Sequence, residues 1–516
     1  MNKNLNTIYH YHEETKHTAM RHARSLGYLD WATQPNPYRS YEGAEKVGLR
    51  LSTSNTTPLY SDVFKEVPKA PLCFEAISQL FQFSLGLAAT KSHQGSSWSL
   101  RCNASSGNLH PTEAYIVLPP LKGVDEKHTV SHYNPQHHHL EKLASFESKV
   151  LAEDEFLLSL SSIYWREAWK YGERSFRYVN LDAGHALRSL EVSAKLLGWS
   201  FKRLDISVQE HNRLLGLNQE ERFHKDEREE ADILLLFSKN DAIDIKALLE
   251  EVDFQFQSIA NILSPSHYPW EIINEVADAT QERLKSLPRV DSQELERQSL
   301  YVAKDVILKR RSAQMMNADN AEISKEQFYA MLDSVQHDIM GHENFVSFAI
   351  FVHKVEGLDS GLYLFSRNSR HLNELKGLMK ESFRFEKMQE NQELYLLQKG
   401  DFSVIAKNLS CNQDIAKDGA FSLAMLCEFS SVINSYGAYM YKELYYECGS
   451  IGQQLYLEAT SVDLQATGIG CFLDDVMHSV LGLKGKEYQS LYHFTVGRAI
   501  VDTRLTTTDP YAHLKE

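Results

Sequence analysis

Apolar and small residues in "LDAGHALRSLEVSAKLLGW" (residues 181–199) recur at Ala183, Leu187, Leu190, Ala194 and Leu197. The alternation of four and three predicts a helix with one buried stripe. The same spacing returns 265 positions later at Cys448, Gly452, Leu455, Ala459 and Val462. An acid-x-Gly opens each stretch: Asp182-Ala183-Gly184 and Glu447-Cys448-Gly449. Next, "HNRLLGL" (211–217) matches "MHSVLGL" (477–483), and each leads to an apolar run, "ADILLLF" (231–237) and "LYHFTVG" (491–497), that reads as a buried strand. Earlier, "VEGLDSGLYLF" (355–365) reads as strand, turn and strand, with a faint echo in residues 118–134. A helix, a Leu-Gly-Leu stop and a strand repeating in order point to an internal duplication. Two copies are too few for a solenoid and fit a homodimer fused into one chain. The expected fold is α+β: two tandem copies, each a mostly antiparallel sheet on long helices, forming an intramolecular pseudo-dimer.

The remaining chain divides around these copies. Residues 1–70 form a polar, aromatic-spotted N-terminal arm, residues 71–238 the first half, 239–300 a helical connector and 301–516 the second half. Within the first half, "ERFHKDEREEAD" (221–232) reads as a solvated face or an exposed loop. With 43% apolar and 24% charged residues, the chain belongs among soluble globular proteins. Its net charge of −15 comes without a basic block, which argues against nucleic acid or an anionic membrane as partner. No run of apolar residues is long enough for a transmembrane span and the N-terminus lacks a signal-peptide core, so the expected location is cytoplasmic. The six cysteines form no C-x-x-C, and a chain of this size needs no disulfides, which fits a reducing compartment. The histidines at 137–139 lack partners at metal-site spacing and read as solvated surface; no metal site is expected.

Three polar stretches carry candidate chemistry. "RCNASSGNLHPTEAYIVLPP" (101–120) sets short donors and a glycine ahead of a strand, as a loop cradling a planar polar ligand would. "VILKRRSAQMMNADN" (306–320) places Lys309, Arg310 and Arg311 beside Ser312, a set suited to phosphate. "QATGIGCFLDD" (465–475) puts Gly468 after the long helix, in the position of a C-cap, and Gly470 where a backbone is closely approached. No G-x-G-x-x-G in strand–turn–helix order exists, and no nucleophilic triad stands out. A site of backbone, short polar groups and arginines suits a tightly held organic cofactor that supplies the reactive chemistry.

These segments resemble the FMN-dependent nitroreductase superfamily, in particular its tandem branch close to the peptide-azoline (thiazoline/oxazoline) dehydrogenases. "RRSAQMM" resembles the opening Arg-Arg-Ser motif, "ASSGNLHPTEAYIV" the flavin loop and its strand, "YWREAWKYGERSFRY…LDAGHA" the approach to the central helix, and "TGIGCFLDD…LGL" with "VGRAIVDTR" the C-terminal third. The resemblance spans roughly residues 70–510. It implies one FMN held by Arg310, Arg311, Ser312, Gln314, Gly468, Ile469, Gly470 and Arg504 of the second half and by Ser105, Ser106, Gly107 and Asn108 of the first. Gln314 stands where the family usually has a cation, and Ala104 where it has proline. The mirror-image site reads as vestigial: "GLRLSTSN" (48–55) replaces the Arg-Arg-Ser segment and "GHENFVSFAIFV" (341–352) the serine loop. The implied function is an FMN oxidoreductase, with NADH or NADPH as reductant and a small molecule or modified peptide as substrate. Comparison with the azoline dehydrogenases makes Lys170 and Tyr171 the catalytic candidates. Tyr115, Trp165, Arg166, Arg174, His185 and Tyr445 are candidates to line the substrate side. The alternative is a non-catalytic flavin- or peptide-binding partner protein of a modification pathway.

Overall fold

The computed structural model describes residues 3–52, 57–238, 243–251, 256–283, 285–288, 290 and 299–514. The chain forms two compact units. The first comprises Ser25–Glu282, Val302–Leu308 and Arg504–Glu516; the second comprises Met1–Arg24, Arg283–Tyr301 and Lys309–Thr503. The N-terminal segment thus belongs to the unit built from the second half, and the C-terminal segment to that built from the first.

Each unit is centred on a seven-stranded antiparallel sheet. In the first unit the strands are β1 (Glu45–Gly48), β2 (Thr112–Leu118), β3 (His128–Asn134), β4 (His139–Phe146), β5 (Phe156–Ile163), β6 (Lys202–Leu204) and β7 (Glu229–Phe237), in the order β1-β4-β3-β2-β5-β7-β6. In the second they are β8 (Val346–Val352), β9 (Gly361–Phe365), β10 (Glu386–Gln389), β11 (Gln392–Lys399), β12 (Phe421–Glu428), β13 (Gln465–Ile469) and β14 (Tyr488–Gly497), in the order β10-β11-β9-β8-β12-β14-β13. Both run the same path through their last six strands. Only the edge differs: β1 arrives from the N-terminal region, while β10 pairs with the strand that follows it. The central strands are buried along their whole length, so they read as continuous apolar runs rather than alternating ones.

The long helices confirm the repeat. Helix α3 (Ser175–Leu196) and its counterpart α5 (Met440–Ser461) each have 22 residues, displaced by 265 positions at both ends. The apolar stripe understates them: both helices are buried on nearly every side, their polar residues included. The shorter helices α4 (Val208–Leu215) and α6 (Asp474–Leu481) end in left-handed glycines, Gly216 (φ 72°) and Gly482 (φ 86°). The Leu-Gly-Leu match is therefore a pair of helix stops. α4 also begins with a capping box between Ser207 and Glu210.

Three expectations are corrected. "ERFHKDEREEAD" is not a solvated face: Arg222, Glu227, Glu229, Glu230 and Asp232 are buried, with Arg39 against Glu227 (3.5 Å) and Glu229 (3.4 Å). Buried charge of this kind persists only when paired. Of the three consecutive histidines, His138 and His139 are buried; His138 bonds Ser78 Oγ and Tyr133 Oη, both at 2.9 Å. Cys411 and Cys471 are joined as a disulfide. In the connector, Ile245–Glu251 and Glu271–Ala279 are helical. No helix among the described residues is long and apolar enough to cross a membrane.

Candidate functional site

In the first unit the chain between Ser96–Arg101 and β2 makes a compact polar loop. Gly107, Asn108 and His110 all have left-handed backbone, with φ of 58°, 59° and 52°. Such geometry is costly for His and tolerable for Asn, and it persists only where surroundings hold it. Here they do. Asp182 on α3 accepts the Ser106 N–H with both carboxylate oxygens (3.0 and 3.1 Å) and the Ser106 hydroxyl at 2.9 Å. Ser105 Oγ accepts the His110 N–H at 2.8 Å, Asn108 Nδ2 donates to Ser99 O at 3.0 Å, and Arg166 donates to His110 O at 2.7 Å. Asn108 therefore shapes the loop with its amide.

Helix α2 (Tyr164–Tyr171) ends against this loop. A Cβ on Gly107 would stand 2.7 Å from Tyr171 Oη and 2.9 Å from Lys170 Nζ, so both side-chain ends pack directly against the glycine. The two catalytic candidates therefore lie against the serine loop. Beside them lie two buried acids that sequence reasoning missed as site groups. Burial pushes Asp182 up to about 7 against the opposing bonds from Ser105 and Ser106. Burial, reinforced by Asp182, raises Glu167 well above the carboxylate range. Burial and the charge of Glu167 likewise raise the Tyr171 phenol. Such a pair can hold a proton at neutral pH next to a lysine and a phenol. The acid-x-Gly repeat was the available signal for Asp182; Glu167 had none.

In the second unit the Arg-Arg-Ser segment runs beside β13. Ser312 bridges Ala466, Ala313 N–H donates to Ala466 O at 3.0 Å, and Thr467 Oγ1 donates to Ala313 O at 2.6 Å. Tyr456 on α5 ties the group together. Its hydroxyl lies 2.8 Å from Ser312 Oγ and accepts the Gly468 N–H at 2.8 Å, and its ring lies 5.2 Å from the buried Arg310 guanidinium. Gly468 is not the helix cap that its position implied but part of β13, where a Cβ would meet Tyr492 Oη at 1.7 Å. The Ile469 side chain packs in a small core with Ala313, Met316, Ile415 and Ala416, leaving only its backbone for a ligand. Gln314 is exposed and Arg311 and Gly470 are partly buried. Arg504 belongs to the first unit, where its carbonyl lies 3.4 Å from His93 Nδ1. Within the second unit a different cation adjoins the segment: Arg498, whose carbonyl accepts the Asn317 N–H at 2.7 Å.

The second unit uses the equivalent of Asp182 differently. Glu447 accepts the Phe345 N–H at 3.1 Å and forms an ion pair with Arg367. Arg367 also donates to Val346 O, His337 O and Asn344 Oδ1 at 3.3, 3.2 and 2.8 Å. The loop of residues 341–345 is thus braced by Arg367. The other half of that mirror site, residues 48–55, lies partly outside the described residues. Among the candidate substrate-side residues, Tyr115 donates to Glu229 (2.7 Å), Trp165 to Ser264 (2.7 Å) and Arg174 to Tyr178 (3.2 Å), all buried.

The fold is the nitroreductase-like one, in two tandem copies. A crystal structure of an Anabaena variabilis protein described as a nitroreductase superimposes with a TM-score of 0.70 and 22% identity, covering 96% of this chain and 99% of that one. Residues 307–498 match the nitroreductase family, so the stretch from the Arg-Arg-Ser segment through β14 carries that family's sequence pattern. A Methanocaldococcus jannaschii protein named as a nitroreductase, MJ1384, is 24% identical over 145 residues, 26% of this chain and 69% of its own length. The trifolitoxin-processing protein TfxB of Rhizobium leguminosarum bv. trifolii is 29% identical over 154 residues, 26% of this chain and 41% of its own length.

Proposed function

We propose that the chain is an FMN-dependent oxidoreductase of the nitroreductase type. The observation that carries this reading is the convergence of Arg310, Ser312 and Gly468 on Tyr456, inside the stretch that matches the nitroreductase family. The donor set fits the cofactor: two arginines, a hydroxyl and a nearby third arginine suit a phosphate monoester. Arg310, Arg311, Ser312 and Gln314 would hold the phosphate end with Arg498 or Arg504, and the backbone of Gly468, Ile469 and Gly470 would lie along the ring. Ser105, Ser106, Gly107 and Asn108 form the second proposed determinant. Bound FMN supplies two-electron chemistry at its N5 position, with NADH or NADPH as the proposed reductant.

The chain's own residues orient and protonate. Asp182 fixes Ser106 so that the loop needs no reorganisation on binding. Lys170 and Tyr171, packed against Gly107, are the proposed proton-handling groups toward substrate, with Glu167 and Asp182 holding a proton beside them. The likeness to a trifolitoxin-processing protein supports a modified peptide as substrate, as in the azoline dehydrogenases, beside a small-molecule acceptor.

Anaerobic addition of NADH or NADPH to the FMN-loaded chain should bleach the flavin absorbance near 450 nm, and an added acceptor should restore it. A flavin that binds but resists both reductants would instead support a non-catalytic binding protein.

A further inference from the structure

Three ligand-type side chains of the second unit, His17, His22 and Cys471, meet at one point, and a fourth, Cys411, is bonded to Cys471. His17 and His22 flank a tight turn in which Thr18 N–H donates to Arg21 O (2.7 Å) and Arg21 N–H to Thr18 Oγ1 (3.0 Å), bringing the two rings to 4.6 Å. Asp474 anchors that turn: its carboxylate accepts the His17 N–H at 2.9 Å and its own N–H donates to His17 O at 3.0 Å. Cys411 follows the helix Ser403–Leu409 in left-handed backbone (φ 51°), as does Asn412 (φ 62°). Two consecutive non-glycine residues in that region are strained, and such strain is kept where it aims a side chain. Gln413 Nε2 donates to Ser410 O (2.9 Å) and to Cys471 O (3.4 Å), fastening the turn to the residue after Gly470. One nitrogen of His17, one of His22 and the Cys471 sulfur lie within 4.8 Å of one another, and Cys411 is bonded to Cys471.

We propose that, once the Cys411–Cys471 bond is reduced, His17, His22, Cys411 and Cys471 bind one Zn²⁺ in a closed tetrahedral site. Two thiolates neutralise the ion's charge, and two imidazoles complete the Cys₂His₂ set typical of structural zinc. With four protein ligands no open position remains, so the site is a staple. Reduction moves two electrons and two protons from a dithiol to the Cys411–Cys471 bond, leaving two thiols and the oxidised dithiol; Zn²⁺ then displaces both thiol protons. The Ala23 amide donates to His17 Nδ1 at 3.0 Å, and ligation through that nitrogen exchanges this bond for a metal bond. The staple ties the N-terminal segment to the end of β13. The sequence offered no sign of it, because the ligands run from His17 to Cys471.

The test uses the full chain, reduced with a dithiol, freed of reductant without air and titrated with Co²⁺, then Zn²⁺. One Co²⁺ per chain should bind with the intense visible bands and near-ultraviolet thiolate absorption of tetrahedral coordination, and one equivalent of Zn²⁺ should abolish both. Cys471→Ser should remove the thiolate-linked spectrum, and His22→Ala should weaken Zn²⁺ binding by at least about tenfold. In the wild-type chain, independently of any variant's folding, Zn²⁺ should slow alkylation of Cys411 and Cys471, read by peptide mass spectrometry, at least about tenfold. Only octahedral cobalt bands, no stoichiometric metal, or alkylation unchanged by Zn²⁺ would overturn the site.

Discussion

Arg310→Ala should weaken FMN binding by roughly 30- to 1,000-fold, about 2–4 kcal/mol, the scale of a lost charged and desolvated bond to phosphate. The guanidinium is buried against the Tyr456 ring, beside the Ser312 hydroxyl, in a place where water would not replace it well. Arg310→Lys should recover only part of the loss, since an ammonium lacks the two-pronged geometry and the stacking. Equilibrium titration of each variant with FMN measures this. Unchanged affinity in Arg310→Ala would remove the residue from the site.

The second large effect is on stability. Arg166→Ala should destabilise the first unit by roughly 3–5 kcal/mol, because it leaves two buried carboxylates, Glu113 and Glu141, sharing the single cation of His132. Arg166 and Glu113 are ion-paired with almost no exposure, and Glu113 and Glu141 each bond His132 at 2.9 Å. Burial favours the neutral acid, but Arg166 and His132 outweigh it and hold Glu113 well below the usual carboxylate range. Burial also opposes charge on His132, yet its bonds to the two glutamates raise it from 6.5 to about 9. The folded chain therefore keeps a proton that the unfolded chain releases near pH 6.5. This contribution is full below that pH and is lost as pH rises through about 9. Denaturant unfolding at a series of pH values should show the decline in the wild type and a shallower one in His132→Gln. A variant of Arg166 within about 1 kcal/mol of wild type would contradict the network's role.

What the sequence made legible was whatever repeats locally. A helix stripe is written in neighbouring turns, so α3 and α5 could be read to their common offset, and the paired glycine stops followed. Pairing across long separations was not legible. The acids of residues 227–232 looked solvated because their cation, Arg39, lies far away in the chain, and His138 looked exposed because Ser78 does. Gly468 looked like a cap because it follows a helix, whereas its role is set by Tyr492 on the adjoining strand. The serine loop, Lys170 and Tyr171 were proposed from residue type and resemblance. The acids beside them were not, because a buried carboxylate leaves no pattern until its surroundings are known.

The central claim, one FMN per chain that needs both the Arg-Arg-Ser segment and the serine loop, has a direct test. Chains saturated with FMN and freed of excess are denatured, and the released flavin is quantified against chain concentration. The account predicts a ratio near one for the wild type, lowered by Arg310→Ala and by Asn108→Ala and unchanged by Asn344→Ala, whose residue braces the loop of the second unit. Two flavins per chain, none after loading, or a ratio indifferent to Asn108→Ala would contradict it.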